Sequence, residues 1–137
     1  MGDIVQAIIE ILKADATVAS LAGDRVFGDG LPAAETAHMP RAAIVVRASG
    51  GISVAAGTNS RHDTQRVDVL YYGKTRFLAS ELQRIGRNGL GDVRRKIVSG
   101  CLIHWIEAAG GLSTGLDPEG KWPISFQSYQ AFFAEHA

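Results

Sequence analysis

Histidine and cysteine are the side chains in this sequence that could bind a metal ion, and they are few and scattered. The chain contains one cysteine, Cys101, and four histidines, which are His38, His62, His104 and His136. None of the histidines has the partner three or four residues away on a predicted helix that a zinc site usually shows, and one cysteine cannot form a cluster. We therefore predict no metal site and no cofactor.

Cys101 and His104 are close enough in sequence to suggest a nucleophile and its base. They lie in the apolar segment CLIHWIE, which is typical of a strand, and a spacing of three on a strand places two side chains on opposite faces. A buried structural cysteine is the better interpretation. The adjacent His62 and Asp63 also point apart on a strand. We therefore predict no catalytic centre and no enzymatic activity.

Five basic residues fall within one predicted long helix, and they are Arg84, Arg87, Arg94, Arg95 and Lys96. Only Asp92 partly offsets their charge. A solvated helical face is the simpler interpretation, and contact with an acidic protein or with DNA phosphates is the alternative. Trp105 and Trp122 flank a glycine-rich connection, and we expect both to pack in the core or in an interface rather than to bind a ligand.

The composition is that of an ordinary globular protein with a single domain over residues 1–137. Hydrophobic residues make up 46% of the chain, and 14 basic residues balance 14 acidic ones. This balance argues against a protein whose main role is to bind nucleic acid, so we expect no sequence-specific contact with DNA. The N-terminal apolar stretch is interrupted by acidic residues, unlike a signal peptide, and no run approaches the ~18 apolar residues of a membrane span. We expect a protein of the cytoplasm without membrane contact.

The first third of the chain predicts a helix, a short turn and two strands. Apolar residues recur at helical spacing over residues 3–13, and Asp3 is a suitable N-cap. A turn over residues 17–21 precedes a short strand at residues 25–28. A long loop with two prolines then leads to a second strand at residues 41–48.

Residues 64–72 alternate between the two faces of a strand, with Arg66 and Asp68 on the same face. The small, uncharged segment 49–60 separates this strand from the preceding one, so the two strands predict a long β-hairpin with an extended tip. The tip has little apolar surface to bury. We expect it to be mobile in the free chain and to become ordered only against a binding partner.

The second half of the chain predicts a long helix and two further strands. Residues 75–98 carry one apolar stripe at a spacing of three or four, and three glycines within residues 86–91 predict a kink or a break. Strands are expected at residues 101–107 and 123–133. The predicted fold is α+β, with a mainly antiparallel sheet of four or five strands and with helices packed on one face.

Four stretches, taken in order, resemble the phage tail-completion family, the tail terminators similar to the minor tail protein U of lambda-like phages. The opening helix is followed by ADATVASLAGDRVFGDGLP, Pro40 precedes the strand RAAIVV, RHDTQRVDVLYYG precedes the main helix, and FQSYQAFF closes the chain. The resemblance covers nearly the whole sequence.

This resemblance implies a structural virion protein that forms a hexameric ring at the head–tail junction. Such a ring caps the tail tube, stops its elongation and provides the interface to which the head joins. The implied partners are further copies of the chain, the tail tube protein and the head–tail connector proteins, and DNA passes through the lumen of the ring. The implied location is the virion, with assembly in the host cytoplasm.

The residues that we assign to the contact between subunits, or with the tube, lie in the predicted hairpin and are Gly50, Gly51, Ile52, Val54, Asn59, Arg61, His62, Arg66 and Asp68. The opposite charges of Arg66 and Asp68 could fix the register between neighbouring copies. Two alternative functions stay open, namely a head–tail connector of the neck and a small peptide- or metabolite-binding module.

Overall fold

The computed structural model describes residues 3–52, 62–118 and 120–135. The elements, in chain order, are α1 (Ile4–Ala14), α2 (Ala16–Ala22), β1 (Val26–Gly28), α3 (Ala33–Thr36), β2 (Ala43–Ile52), β3 (His62–Tyr72), α4 (Arg76–Gly91), β4 (Arg94–Val98), β5 (Cys101–Ala108), β6 (Ser113–Leu116) and β7 (Pro123–Glu135).

Two aspartates set the boundaries of the first two helices. The Asp3 carboxylate accepts a hydrogen bond from the Val5 backbone N–H at 3.0 Å, which confirms the predicted N-cap of α1. Asp15 ends α1 and caps α2, because its carboxylate accepts from the backbone N–H of Thr17 at 2.9 Å. Side-chain acceptors at these positions satisfy amide groups that have no partner within the helix.

The described strands form one mixed sheet with the strand order β1-β2-β3-β7-β5-β4, and β6 pairs with β7 beside β5. The pairing is antiparallel throughout except between β1 and β2, which are parallel. The predicted antiparallel character and the β2–β3 hairpin are confirmed. The predicted strand number is wrong, because seven strands are present in the described part of the chain. Strands β4 and β6 were not predicted.

The main core lies on one face of this sheet, as predicted, beneath α1, α2 and α4. Ile8 and Leu12 of α1 and Leu82 of α4 are buried against Val69 and Tyr71 of β3. Burial of apolar surface at about 25 cal/mol per Å² makes this layer the main source of stability.

A smaller cluster covers part of the opposite face, which we call the outer face. Ala43, Val45 and Tyr72 are buried there, and Trp122 packs edge-on against Tyr72 with ring centroids 6.4 Å apart. Leu31, in the connection from β1 to β2, is partly buried against the same cluster. The long loop that carries two prolines therefore has a structural role, since it covers apolar side chains of the sheet.

The predicted helix over residues 75–98 is too long. Helix α4 ends at Gly91, and residues 94–98 form β4, which pairs with β5. Val93 and Ile97 continue the helical spacing by coincidence. Ile97 and Val98 have β-branched side chains that suit a strand, and their pairing with β5 determines the outcome. The predicted kink or break near residues 86–91 takes the form of a break, because α4 is continuous up to Gly91 and ends there.

The glycines of α4 allow close packing. A Cβ atom added to Gly86 would lie 2.6 Å from the Tyr71 hydroxyl, and one added to Gly89 would lie 2.5 Å from the Asp15 carboxylate.

The Tyr71 hydroxyl is 2.8 Å from that of Tyr129, and both rings are buried. Burial raises the pKa of Tyr71 far above its usual range and that of Tyr129 to about 12, so the pair is neutral and hydrogen-bonded at physiological pH.

The loop between β1 and β2 is held by an ion pair. Arg41 donates two hydrogen bonds to the Glu35 carboxylate, from Nε to Oε1 and from Nη2 to Oε2, each at 2.7 Å. The Glu35 side chain is only 9% exposed. A bidentate contact of this kind fixes both the position and the orientation of the two side chains. The bonded Arg41 guanidinium holds the pKa of the Glu35 carboxyl below its ordinary value of 4.5.

We expect Gly86→Ala to lower the free energy of unfolding by about 1–3 kcal/mol, because the added methyl group must displace the buried Tyr71 ring. Gly91→Ala is the matched control, since nothing lies within 4 Å of its added Cβ. The control should be neutral or stabilising by up to about 1 kcal/mol. Urea unfolding of both variants measures the difference, and equal stability would contradict this packing.

We expect Glu35→Gln to lower the melting temperature at pH 7 and to lose this effect in acid. The lowered pKa of Glu35 means that its stabilisation is complete above pH 4.5, the ordinary carboxyl value, and is lost as the pH falls through the lower folded value. Melting curves between neutral pH and about pH 3 test this. Glu10→Gln, on the exposed side of α1, is the control and should not change with pH in the same way.

Candidate assembly interface

Strand β3, the predicted contact strand, lies in the interior of the sheet. Its backbone pairs with β2 from Thr64 to Tyr72 and with β7 along its whole length. Both rows of backbone hydrogen-bonding groups are therefore used within the chain. A neighbouring molecule could contact β3 only through side chains on the outer face.

Arg66 and Asp68 both lie on that outer face, as the alternation of the sequence predicted. Asp68 faces Arg47 across β2 and Ser128 across β7. The Ser128 hydroxyl donates a hydrogen bond of 2.7 Å to the Asp68 carboxylate. Arg66 is exposed opposite Gln130. The Asp68 carboxylate is thus partly engaged within the chain, whereas the Arg66 guanidinium is open to solvent.

The remaining predicted contact residues divide into two groups. Gly50, Gly51 and Ile52 belong to β2 rather than to the tip, because Gly51 pairs with Gln65 and Ile52 with Thr64 after a register shift. The predicted strand end at residue 48 is therefore too early. His62 begins β3 and pairs with Ala134. The last predicted residues, Val54, Asn59 and Arg61, lie outside the described residues, as does most of the predicted mobile tip.

The outer face carries an apolar patch that was not predicted from the sequence. Trp105 of β5 pairs with Phe132 of β7, and their ring centroids are 5.8 Å apart. Leu102 pairs with Ala134 and faces Ile97 of β4 on the same side of the sheet. Trp105, Leu102 and Phe132 are partly exposed, and Ile97 is 55% exposed. These side chains are less buried than Tyr72 at the other end of the face, which is 5% exposed.

A second exposed surface lies on the helical side. Phe77 of α4 and Leu112, which lies between β5 and β6, line one groove together with Arg84 and Arg87. Phe77 is 75% exposed and Leu112 is 47% exposed. The two arginines were predicted as basic residues of one helix, but the groove was not predicted, because nothing in the local pattern indicates that residue 112 lies beside α4.

The basic residues of the predicted long helix do not share one helical face. Arg84 and Arg87 lie on α4, whereas Arg94, Arg95 and Lys96 lie on the edge strand β4. Arg94 donates hydrogen bonds to the backbone carbonyls of Gly91 and Val93 at 2.8 and 2.7 Å, so it caps the end of α4. Lysine and arginine on an edge strand also oppose unwanted pairing with another sheet.

Within the described residues, no group of three or more histidine, cysteine, aspartate or glutamate side chains could hold a metal ion. Cys101 is buried in the main core, whereas the His104 ring packs on Phe132 at 4.9 Å between centroids. The two side chains thus lie on opposite sides of the sheet, as predicted. No described helix is both long and apolar enough to cross a membrane.

A cleft of about 290 Å³ with a mainly apolar lining is a candidate site for a small ligand. It is lined by apolar side chains that include Leu21, Leu78 and Leu82, with Arg25 and Arg41 at its rim. Both arginines are engaged by the chain, since Arg41 binds Glu35 and the Arg25 Nε donates to the Ala42 carbonyl at 2.7 Å. The cleft therefore offers an apolar floor whose two arginines already have partners, and Lys74 and Glu81 also line it.

No protein-family model matches this chain, and no curated protein is similar enough to count as a match. Among solved structures, the chain is similar to a chain of the virion of a native gene transfer agent (GTA) particle. The TM-score is 0.68 at 15% sequence identity, and the alignment covers 96% of this chain and 94% of the other. At this level of identity, the likeness shows that the two chains share a fold.

Replacement of Cys101 tests whether this residue has any role beyond packing. We expect Cys101→Ala to lower the free energy of unfolding by about 1–2 kcal/mol through a small cavity. Cys101→Ser should cost somewhat more, because it buries a hydroxyl group. Chemical unfolding gives both values, and assembly should survive in both variants. Loss of assembly in a variant that stays folded would contradict a purely structural role.

Proposed function

We propose that this chain is a structural protein of a phage-like virion and, more specifically, a tail terminator. In this role it forms a hexameric ring that caps the tail tube, stops tube elongation and provides the surface to which the head joins. The observation that carries the proposal is the fold shared with a chain of the gene transfer agent virion over nearly the full length of both chains.

The distribution of exposed residues is consistent with assembly. Large apolar side chains are exposed on both sides of the sheet, at Phe77 and Leu112 on the helical side and at Ile97 on the outer face. Exposed apolar surface that the chain itself does not cover is typical of a contact with another protein. The net charge is zero, so little long-range repulsion opposes association of identical copies.

A non-enzymatic role agrees with the chemistry of the described side chains. Cys101 is buried in the core, and His104 packs on an aromatic ring at the other side of the sheet. The proposed partners are other copies of the chain, the tail tube protein and the connector proteins of the neck, and the proposed location is the head–tail junction. DNA would pass through the lumen of such a ring without sequence-specific contacts.

Deletion of the gene in the strain that produces the particles tests the proposal. We expect tails of abnormal length, together with tails that fail to join heads, because an uncapped tube continues to grow. Electron microscopy of purified particles measures both defects, and particle reconstruction should place the protein at the end of the tube.

Expression of the wild-type chain from a plasmid should restore normal particles, and so should Gly91→Ala as a matched neutral variant. Tails of normal length that do not join heads would instead indicate a head–tail connector. Normal, joined particles without the protein, or its location elsewhere in the virion, would overturn the proposal.

A further inference from the structure

Most of the exposed apolar side chains of the described chain lie in one region, around the start of α4. The large apolar side chains that are exposed in the described residues are Phe77, Leu78, Ile97, Leu112 and Leu116. All of them except Ile97 lie on the helical side of the sheet, and we call these four residues the α4 face. Apolar side chains that are exposed together, rather than scattered singly, are typical of a surface that contacts another molecule.

The register of β6 on β7 places Leu116 in the α4 face. Leu116 pairs with Pro123. Two residues further along β7, the Ser125 hydroxyl is 3.1 Å from that of Ser80 of α4, so Ser125 points to the helical side. Alternate residues of a strand share a face, and directly paired residues do so too. Leu116 therefore points to the helical side as well, where it is 60% exposed.

Positive charge is in excess around the α4 face. The exposed charged side chains of residues 74–88 are four cations, Lys74, Arg76, Arg84 and Arg87, and one carboxylate, Glu81. The guanidinium of Arg76 lies 5.2 Å from the centroid of the Phe77 ring, and Arg84 and Arg87 line the groove beside that ring. Glu107 lines a cleft together with Arg87 and is the second nearby carboxylate. Four cations against two carboxylates leave two positive charges in excess.

The charged residues that follow Leu116 do not remove this excess. The Asp117 carboxylate accepts a hydrogen bond of 3.0 Å from the Tyr72 hydroxyl, which belongs to the cluster on the outer face. Lys121, in the same connection, is exposed and carries the opposite charge. The helical side of the molecule therefore combines exposed apolar side chains with unbalanced cations. A protein segment in which apolar side chains lie beside carboxylates complements both features.

A second copy of this chain matches the α4 face poorly. The remaining large apolar side chain that is exposed in the described residues, Ile97, follows Arg94, Arg95 and Lys96, which are all exposed. A contact between Ile97 and the α4 face would bring cations against cations, and so would a two-fold contact of the α4 face with itself. DNA matches the cations, but its phosphates offer no apolar surface to a phenylalanine and three leucines.

We propose that the α4 face binds a different protein of the particle, through a segment in which apolar side chains lie beside aspartate or glutamate. Phe77 is the anchor of this contact, since it is 75% exposed and borders the groove. Arg84 and Arg87 contact the carboxylates of the segment. The inference rests on the proposed role in a virion and adds the chemistry of one partner.

Photochemical cross-linking in assembled particles identifies what lies against the α4 face. In the strain that produces the particles, Phe77 is replaced by p-benzoylphenylalanine, which keeps an aromatic ring at this exposed position. We expect mass spectrometry to find a cross-link to a peptide of a different virion protein, with Asp or Glu beside apolar residues. The same replacement at Glu10, which is exposed on α1, is the control and should not give this cross-link. A cross-link to a second copy, to DNA or to no other molecule would overturn the inference.

Binding of the cross-linked segment, as a labelled synthetic peptide, to the purified chain then tests the two parts of the contact. We expect Phe77→Ala to bind at least about tenfold more weakly than the wild type in fluorescence anisotropy, because the anchor is lost. Arg84→Gln should bind about two- to fivefold more weakly, and Arg84→Lys should bind nearly as well as the wild type, because it keeps the charge. The difference between Arg84→Gln and the wild type should shrink as salt is added.

Arg66→Gln is the matched control for charge. It removes an exposed positive charge from the outer face, on the other side of the sheet, and it should bind the peptide like the wild type. Failure of the peptide to bind the wild-type chain would overturn the inference, and so would equal binding by Phe77→Ala and the wild type.

The outcomes for this inference and for the proposed function are distinct. A cross-link to a second copy, in particles that have the protein at the head–tail junction, would overturn the inference and leave the proposed function in place. A cross-link to an acidic segment of a protein elsewhere in the virion would support the inference and overturn the tail-terminator role. Absence of the protein from purified particles would overturn both.

Discussion

The structure depends above all on the pairing of β7, which extends over Pro123–Glu135. One edge of this strand binds β3 along the full length of both strands, and the other edge is shared between β6 near its start and β5 near its end. A strand with partners on both edges has no free backbone groups to satisfy elsewhere. Both exposed surfaces are built from strands and connections that β7 holds in place.

Hydrogen bonds between buried polar side chains then fix α4 over β7. The Gln83 side-chain amide donates a hydrogen bond to the Gln127 side-chain oxygen at 3.0 Å. The Gln127 side-chain amide in turn donates to the Gly110 carbonyl at 2.9 Å. The hydroxyls of Ser80 and Ser125 are 3.1 Å apart. Buried polar groups are costly when they lack partners, so few alternative positions of α4 are tolerable. The same bonds tie the connection after β5 to the sheet. The groove between α4 and Leu112 is thus a consequence of these hydrogen bonds.

The sequence predicted those parts of the fold in which local pattern and tertiary environment agree. Alternation in β3 placed Arg66 and Asp68 on one face of the strand, and this placement is confirmed, while Val67 and Tyr71 are buried on the other face. Strand β4 was missed because Ile97 also fits a helical spacing. Strand β6 was missed because its four residues, Ser113–Leu116, show no apolar alternation. Strand β6 forms because β5 pairs only with the second half of β7, which leaves residues 123–126 of that edge available for pairing.

The candidate surfaces were harder to predict than the fold, for a related reason. Phe77 occurs in an amphipathic helix, where a phenylalanine is usually buried, and only the packed structure shows that it faces solvent. Trp105 and Phe132 are far apart in sequence and become neighbours through the β5–β7 register. Sequence patterns identify which residues face a core, but a surface is defined by what the chain leaves uncovered.

The contrast between the two ends of the outer face shows what remains uncovered. Near Tyr72 the chain places Leu31 and Trp122 over the sheet, and the Glu35–Arg41 pair holds the loop that carries Leu31. Near Trp105 the outer side chains of the sheet stay partly exposed, and Ile97 is 55% exposed. Exposed apolar side chains of this kind are typical of a contact with another molecule.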